Sequence, residues 1–455
     1  MGTRDQEPDR RGGELTEVTR WVADAAWLGG EQLAEDVLIE VAEGRFTTVT
    51  PNAATEGPAR LSGVVVPGLV NAHSHAFHRL LRGRTNRQGG DFWLWRDRMY
   101  ETAASLTPET YERIATAVYM EMAMAGVTAV GEFHYVHHQK HGVPYADRNE
   151  MAHALIRAAR AAGVRITLLD AGYFSAGFGN DELSPVQERF RDPSPEDWLD
   201  RVAELAAGFA DAPDVVVGLA PHSVRAVPPE ALRTLGRRLD RETPLHIHVS
   251  EQPAENRDCL EATGLTPTGL LADCDLLGPT TTLVHATHVG PDDISLIGRS
   301  SSGVCYCATT ERDLGDGIGP ASALSDAGAR LSVGSDSHAV VDLFEEARGI
   351  ELHQRLSSGR RGLHSPGALM TAATIGGAEA LGLASGIRPG APADFVSVDL
   401  DSPRLAGLDM ANGLESIVFA ATSSDVHDVF TGGRRIVGDG IHPGWESARG
   451  SLGPI

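Results

Sequence analysis

Between Gly63 and Ser337 the chain repeats one pattern: a short run of apolar residues, followed by a longer stretch in which apolar positions return every three or four residues. Eight runs fit it: GVVVPGLVNA, GVTAVGEF, VRITLLDAGYF, DVVVGLAPHS, PLHIHVSE, TTLVHATHV, GVCYCATT and ARLSVGSDS. Runs that are apolar at successive positions predict strands covered on both faces, as in a parallel sheet lined by helices. The stretches between most of them predict those helices. Thr107-Pro108 opens TPETYERIATAVYMEMAMAG, EMAHALIRAARAAG ends on a glycine, and Ser194-Pro195 supplies a cap and first-turn pair for SPEDWLDRVAELAAGF. Eight such units over residues 67–387 predict a (β/α)8 barrel, with a doubly wound open sheet as the alternative.

Both ends of the chain change texture. Residues 14–66 carry TRWVADAAWL and VLIEVAEGRFTTV, with Glu43-Gly44 placed for a hairpin turn. Residues 388–455 carry DFVSVDL, SIVFAAT and VHDVFTGGRRIV, which read as β segments with a turn at Gly432-Gly433. Neither end has enough strands to bury a core alone, so the two are expected to join in one small β-sandwich beside the barrel. Residues 1–13 read as a polar tail.

Charge narrows the function classes. The chain has 62 acidic against 39 basic residues, a formal charge of −23, and such a field disfavours nucleic acid and anionic membranes as partners. No stretch approaches the ~20 apolar residues of a membrane span, and the start MGTRDQEPDRRGG lacks the apolar core of a secretory signal, so a cytoplasmic location is expected. Cys259, Cys274, Cys305 and Cys307 are too few for a disulfide framework and wrongly spaced for a cysteine-based zinc site; they read as buried thiols.

The candidate chemistry lies at the ends of the expected strands, where barrel enzymes place their catalytic groups. The first run ends Asn71-Ala72-His73-Ser74-His75, and in an extended chain His73 and His75 point to the same side. The fifth carries His246-Ile247-His248-Val249-Ser250-Glu251, the sixth reaches His285, and the eighth ends Gly334-Ser335-Asp336. One His-x-His pair is weak evidence, and a lone Asp after a strand usually caps a helix. Three histidines and an aspartate at strand ends in barrel order form a donor set suited to zinc and usable by Fe(II), Mn(II) or Co(II). The other His-rich stretch, with His134, His137, His138 and His141, is expected to be a solvated loop.

These segments resemble the amidohydrolase superfamily, and within its deaminase branch FWLWRDRMY, EFHYVHH, APHSVRAV and HVSEQPAE are similar to the formimidoylglutamate deiminases. The resemblance spans essentially the whole chain. It implies hydrolysis of N-formimidoyl-L-glutamate to N-formyl-L-glutamate and ammonia in histidine degradation, by a homodimer. It makes His73, His75, His248 and Asp336 the ligands of one divalent ion, most simply Zn2+. Glu251, His285 and Asp336 would handle protons, and Arg96, Tyr135, His222 and Arg225 would hold the dicarboxylate substrate. Dinuclear members bridge two ions with a carboxylated lysine after the fourth strand. Here that strand ends Ala220-Pro221-His222-Ser223, and the only lysine, Lys140, follows the second strand. In place of the family's usual glutamine after the His-x-His pair stands His78, which can also donate a hydrogen bond in the substrate pocket.

Two rival readings use the same residues. An aromatic-base deaminase would need stacking surfaces, which Phe92, Trp93 and Trp95 could supply. A scaffold of the same fold without activity would bind no metal.

Overall fold

The computed structural model describes residues 18–53, 57–85, 92–179 and 182–453. The polar tail and the side chains of Phe92 and Trp93 lie outside the described part. Eight strands form the barrel: β5 (Leu69–Ser74), β6 (Val127–His134), β7 (Arg165–Gly172), β8 (Val215–Pro221), β9 (Leu245–Val249), β10 (Thr281–His285), β11 (Gly303–Tyr306) and β12 (Arg330–Val333). They are hydrogen-bonded in chain order, and neighbouring strands run parallel. Every residue of β5, β6, β9, β10 and β11 is buried, because the strands face a packed interior on one side and helices on the other. The expected helices are present as Pro108–Met124, Glu150–Ala162 and Pro195–Gly208, with Thr107 and Ser194 accepting N-terminal amide bonds.

The ring closes where β5 meets the segment after β12. Asp336 N donates to His73 O at 3.0 Å and His75 N donates to Asp336 O at 3.2 Å. Gly334 makes this approach possible: a Cβ there would lie 2.7 Å from both the Cβ and the carbonyl oxygen of His73. Asn71 braces the seam, donating to Ser335 Oγ at 2.7 Å and accepting from Ser335 N at 2.9 Å.

The two ends of the chain do join. β1 (Thr19–Ala26), β2 (Ala34–Ala42), β3 (Arg45–Thr50) and β4 (Ala59–Pro67) form one seven-stranded sheet with β13 (Phe395–Val398), β14 (Val426–Thr431) and β15 (Arg434–Val437). The order is β15-β14-β13-β4-β1-β2-β3. Both expected hairpins are present, with left-handed φ at Glu43-Gly44 (51° and 74°) and Gly432-Gly433 (57° and 72°), as tight turns of this kind require. A separate aromatic core serves this sheet, with Phe395 and Phe430 stacked at 4.4 Å and the Trp21 ring edge-on to both.

One expected strand is a helix. SIVFAAT lies in the helix Gly413–Ala420 and the residues that follow it, with Leu414, Ile417, Val418 and Ala421 buried. That spacing is helical, and it becomes visible only when Leu414, just before the run, is counted.

The His-rich loop is also different from expectation. Only His141 is exposed, whereas His134, His137 and His138 are buried at 1%, 1% and 4% exposure. They are covered because Arg201, from the helix Pro195–Gly208, enters from behind. Its five N–H donors make five hydrogen bonds, two to Asp170, two to Asp192 and one to Asn149. His134, His137 and Asp170 bring donor atoms within 4.8 Å of one another, but both Asp170 oxygens are engaged by Arg201 and one also by Trp198 Nε1. Those oxygens are not free to take an ion. All four cysteines are buried and free, as the sequence predicts. Among the described residues no helix is long and apolar enough to cross a membrane.

Candidate active site

His73 and His75 leave the end of β5 with their ring centroids 4.8 Å apart, and His248 reaches them from β9. His75 Nδ1 donates to Phe133 O at 3.0 Å and His248 Nδ1 donates to His222 O at 2.8 Å. A carbonyl only accepts, so each neutral ring keeps its proton on Nδ1 and presents a bare Nε2 lone pair inward. His248 Nε2 lies 3.1 Å from His73 Nε2, and Asp336 Oδ1 lies 3.4 Å from the Nε2 of both His73 and His75. All four donor atoms fall within 4.8 Å of one another. Burial pushes the His75 and His248 rings well below their ordinary pKa. Burial also works against the Asp336 charge, but His73, His285 and His75 hold that carboxyl well below the usual range. Neutral rings converging on an ionised carboxylate form a negative cradle that a divalent cation fits.

His285 stands next to this cluster. Its Nε2 is 3.8 Å from Glu251 Oε1 and 3.9 Å from Asp336 Oδ2, and its Nδ1 is 3.5 Å from Glu311 Oε1. Burial opposes protonation of the ring, yet Glu251, Glu311 and Asp336 together raise it well above the ordinary histidine value. Glu311 was not legible as a site residue. It sits in the first turn of the helix Ala308–Leu314 and accepts the Cys307 N–H at 3.0 Å, so in sequence it resembles any acidic residue at a helix start. Ser250, His285 and Asp336 all adopt left-handed backbone, with φ of 52°, 70° and 42°. Such strain in non-glycine residues concentrates at functional sites.

A cleft of about 810 Å³ opens over the cluster and brings the sequence-derived candidates together. Glu251, His285, Asp336, His75 and His248 form its floor, and His78, Arg96, Tyr135, His222 and Arg225 line its walls. His78 is 2% exposed, and its Nε2 is 2.7 Å from the Tyr135 hydroxyl. Burial pushes His78 and His222 down to about 3, so both rings are neutral. Arg96 lies over the Tyr100 ring at 5.7 Å. Arg225 faces two carboxylates, with Nε 3.2 Å from Glu255 Oε2 and Nη2 3.9 Å from Glu251 Oε2. Arg96 and Arg225 are the two guanidinium groups of the cleft among the described residues. Sequence reasoning missed Tyr100, Tyr173 and Gln187, which also line the cleft: Tyr100 ends the FWLWRDRMY segment, Tyr173 directly follows β7, and Gln187 opens the short turn Gln187–Phe190. Trp95 is present there too, edge-on to His78 at 5.2 Å. Lys140 is exposed in the loop after β6, and β8 ends without a lysine.

Comparison with known proteins shows the family of the chain. A formimidoylglutamate deiminase of Pseudomonas aeruginosa is 40% identical over 432 residues, 92% of this chain and 95% of that protein. A 5-methylthioadenosine/S-adenosylhomocysteine deaminase of Natronomonas pharaonis is 31% identical, covering 89% of this chain and 88% of its own. The crystal structure of an amidohydrolase from Brucella melitensis superposes with a TM-score of 0.88 at 34% identity, over 95% of this chain and 98% of that one. Residues 64–436, which include the whole barrel and its cluster of three histidines and an aspartate, match the model of the amidohydrolase family, and this chain belongs to that family.

Proposed function

We propose that this enzyme hydrolyses N-formimidoyl-L-glutamate to N-formyl-L-glutamate and ammonia, using one zinc ion held by His73, His75, His248 and Asp336. The observation that carries the reading is the pair Arg96 and Arg225 above the histidine–aspartate cluster, in a chain 40% identical to a formimidoylglutamate deiminase. Two carboxylates entering a protein of net charge −23 need local cations, and guanidinium groups bind carboxylates with paired donors. The same reading makes the enzyme a homodimer of histidine degradation, which rests on the family resemblance, and the cytoplasmic location is the expectation from its apolar patterning.

A bound divalent ion supplies Lewis acidity and lowers the pKa of a coordinated water toward ~7. The residues around it do the rest. Asp336 offers Oδ2, on the side facing His285, to accept a proton from the attacking water. His285, held by Glu311 and with its ring pKa raised by the carboxylates around it, presents Nε2 to the charge that develops on the tetrahedral carbon's substituents. The water's two protons pass by way of Asp336 and Glu251 to the amidine nitrogen, one on attack and one as the adduct's hydroxyl becomes the carbonyl, so that the C–N bond breaks and ammonia leaves. Tyr135, neutral His222 and the two arginines orient the substrate chain above this group.

The direct test is ammonia release from formimidoyl-glutamate, formimidoyl-aspartate, guanine, adenosine and cytosine, with metal measured on the same sample. Release from formimidoyl-glutamate is expected. Release from a nucleobase or nucleoside alone would instead establish the aromatic-base reading; of the three rings the sequence offers for it, Trp95 lines the cleft. Elemental analysis is expected to give one divalent ion per chain, since β8 ends at Pro221 with no lysine to bridge a second. A reproducible value of two would defeat the mononuclear assignment.

Arg225→Met probes substrate identity. It keeps a long apolar stem and removes every donor. A charge-assisted hydrogen bond contributes about 1.5–3 kcal/mol, which is roughly a 10- to 150-fold loss in kcat/KM for formimidoyl-glutamate. Metal content is expected to stay at the wild-type level, and an amidine without carboxylates to lose far less. Wild-type kinetics on formimidoyl-glutamate would remove Arg225 as a carboxylate clamp.

A further inference from the structure

Glu255 occupies the first turn of the helix Pro253–Thr263 and is 2% exposed. Its two oxygens differ: Oε1 is hydrogen-bonded, and Oε2 meets its partner as an ion pair without a hydrogen bond. Oε1 accepts the Ser250 N–H at 3.1 Å, which ties it to the backbone immediately before Glu251. Oε2 lies 3.2 Å from Arg225 Nε, nearer than the 3.9 Å between Glu251 Oε2 and Arg225 Nη2. Arg225 thus stands between a carboxylate anchored out of the reaction and one placed 3.8 Å from His285. A guanidinium binds a carboxylate through a pair of neighbouring N–H groups. Were Arg225 to turn onto Glu251, the substrate would lose a clamp and the reaction would lose a proton carrier in a single movement.

We propose that Glu255 is a positioning residue whose buried charge draws the Nε side of Arg225 as an ion pair, keeps it off Glu251, and leaves the outer guanidinium edge available to a substrate carboxylate. The inference rests on the reading of Arg225 as a carboxylate clamp. With Glu255 uncharged, Glu251 is the remaining ion-pair partner of Arg225 among the described residues, and the 3.9 Å gap closes.

The test uses the metal-loaded enzyme and two substrates, formimidoyl-glutamate and N-butylformamidine, which has the amidine without carboxylates. Glu255→Gln keeps an acceptor for Ser250 N–H and removes the charge. It is expected to lose roughly 10- to 100-fold in kcat/KM on formimidoyl-glutamate, the size of one charge-assisted hydrogen bond. It also lowers kcat on N-butylformamidine, because Arg225 now engages Glu251. The deciding measurement is the double variant Glu255→Gln with Arg225→Met. Removal of the guanidinium frees Glu251, so turnover of N-butylformamidine is expected to rise back to the level of Arg225→Met alone. A merely structural role for Glu255 gives no such recovery, and its absence would overturn the proposal. So would wild-type kinetics for Glu255→Gln on both substrates. Glu255→Asp, which keeps the charge, is expected to retain most of the activity and serves if the Gln variant does not fold. If Arg225→Met left formimidoyl-glutamate kinetics untouched, the carboxylate clamp would fail, while the N-butylformamidine comparison would still decide the role of Glu255.

Discussion

Glu251→Gln is expected to lower kcat about 10²- to 10⁴-fold, the usual span for loss of a positioned proton carrier, while the protein keeps its full metal content. Glu251 lies beside the cluster and not within it, 3.8 Å from His285 Nε2 and 3.9 Å from Arg225 Nη2. Glutamine preserves the shape and one acceptor oxygen but cannot take up and release a proton near neutral pH. His248→Ala is the matched control. It removes a converging Nε2, so metal occupancy and activity are expected to fall together, and reconstitution with excess metal restores neither fully. Elemental analysis alongside kcat separates the two outcomes. Loss of metal from Glu251→Gln would move Glu251 into the donor set and break the division of labour between Glu251 and Asp336.

Arg201→Met is expected to destabilise the fold by about 3–5 kcal/mol, the typical result of removing one partner from a buried ion pair. Arg201 serves Asp170 and Asp192 with charged hydrogen bonds of 2.8–2.9 Å, and all three side chains are at most 4% exposed. Burial opposes ionisation of Asp170, but the guanidinium overrides it and holds the carboxyl at about 2. A depressed carboxyl contributes stability above its unfolded value of ~3.9, and that contribution fades as the pH falls toward 2. The denaturation midpoint at neutral pH is the measurement. A shift below about 1 kcal/mol would mean that water or a shifted side chain compensates the two aspartates.

The barrel is legible in the sequence because its strands are buried on both faces, which makes each a continuous apolar run. His73, His75, His248 and Asp336 are legible as candidates because they recur together at the ends of apolar runs in barrel order, where any one of them alone would have an ordinary structural reason. What the sequence hides depends on partners distant along the chain. His137 and His138 look like loop residues until Arg201, with Asp170 and Asp192, closes over them. Glu255 and Glu311 look like ordinary first-turn acids, and only the folded chain shows that their carboxylates face Arg225 and His285. SIVFAAT is short enough to fit either periodicity, and its contact face settles the matter.

The seam between β5 and the segment after β12 gives the metal a mechanical part. A barrel of eight strands is a hoop with one clasp, and here the clasp is made by a few backbone and side-chain bonds around His73, His75 and Asp336. Three of the four proposed donors belong to the two sides of that joint, so an ion coordinated by them would fasten the hoop as well as serve the reaction. Binding and closure are then linked in both directions: metal tightens the joint, and anything that loosens the joint weakens metal affinity. Stripping the ion with a chelator is expected to speed amide exchange first at His75 and Asp336, whose N–H groups cross the seam, before it spreads to the opposite wall of the barrel.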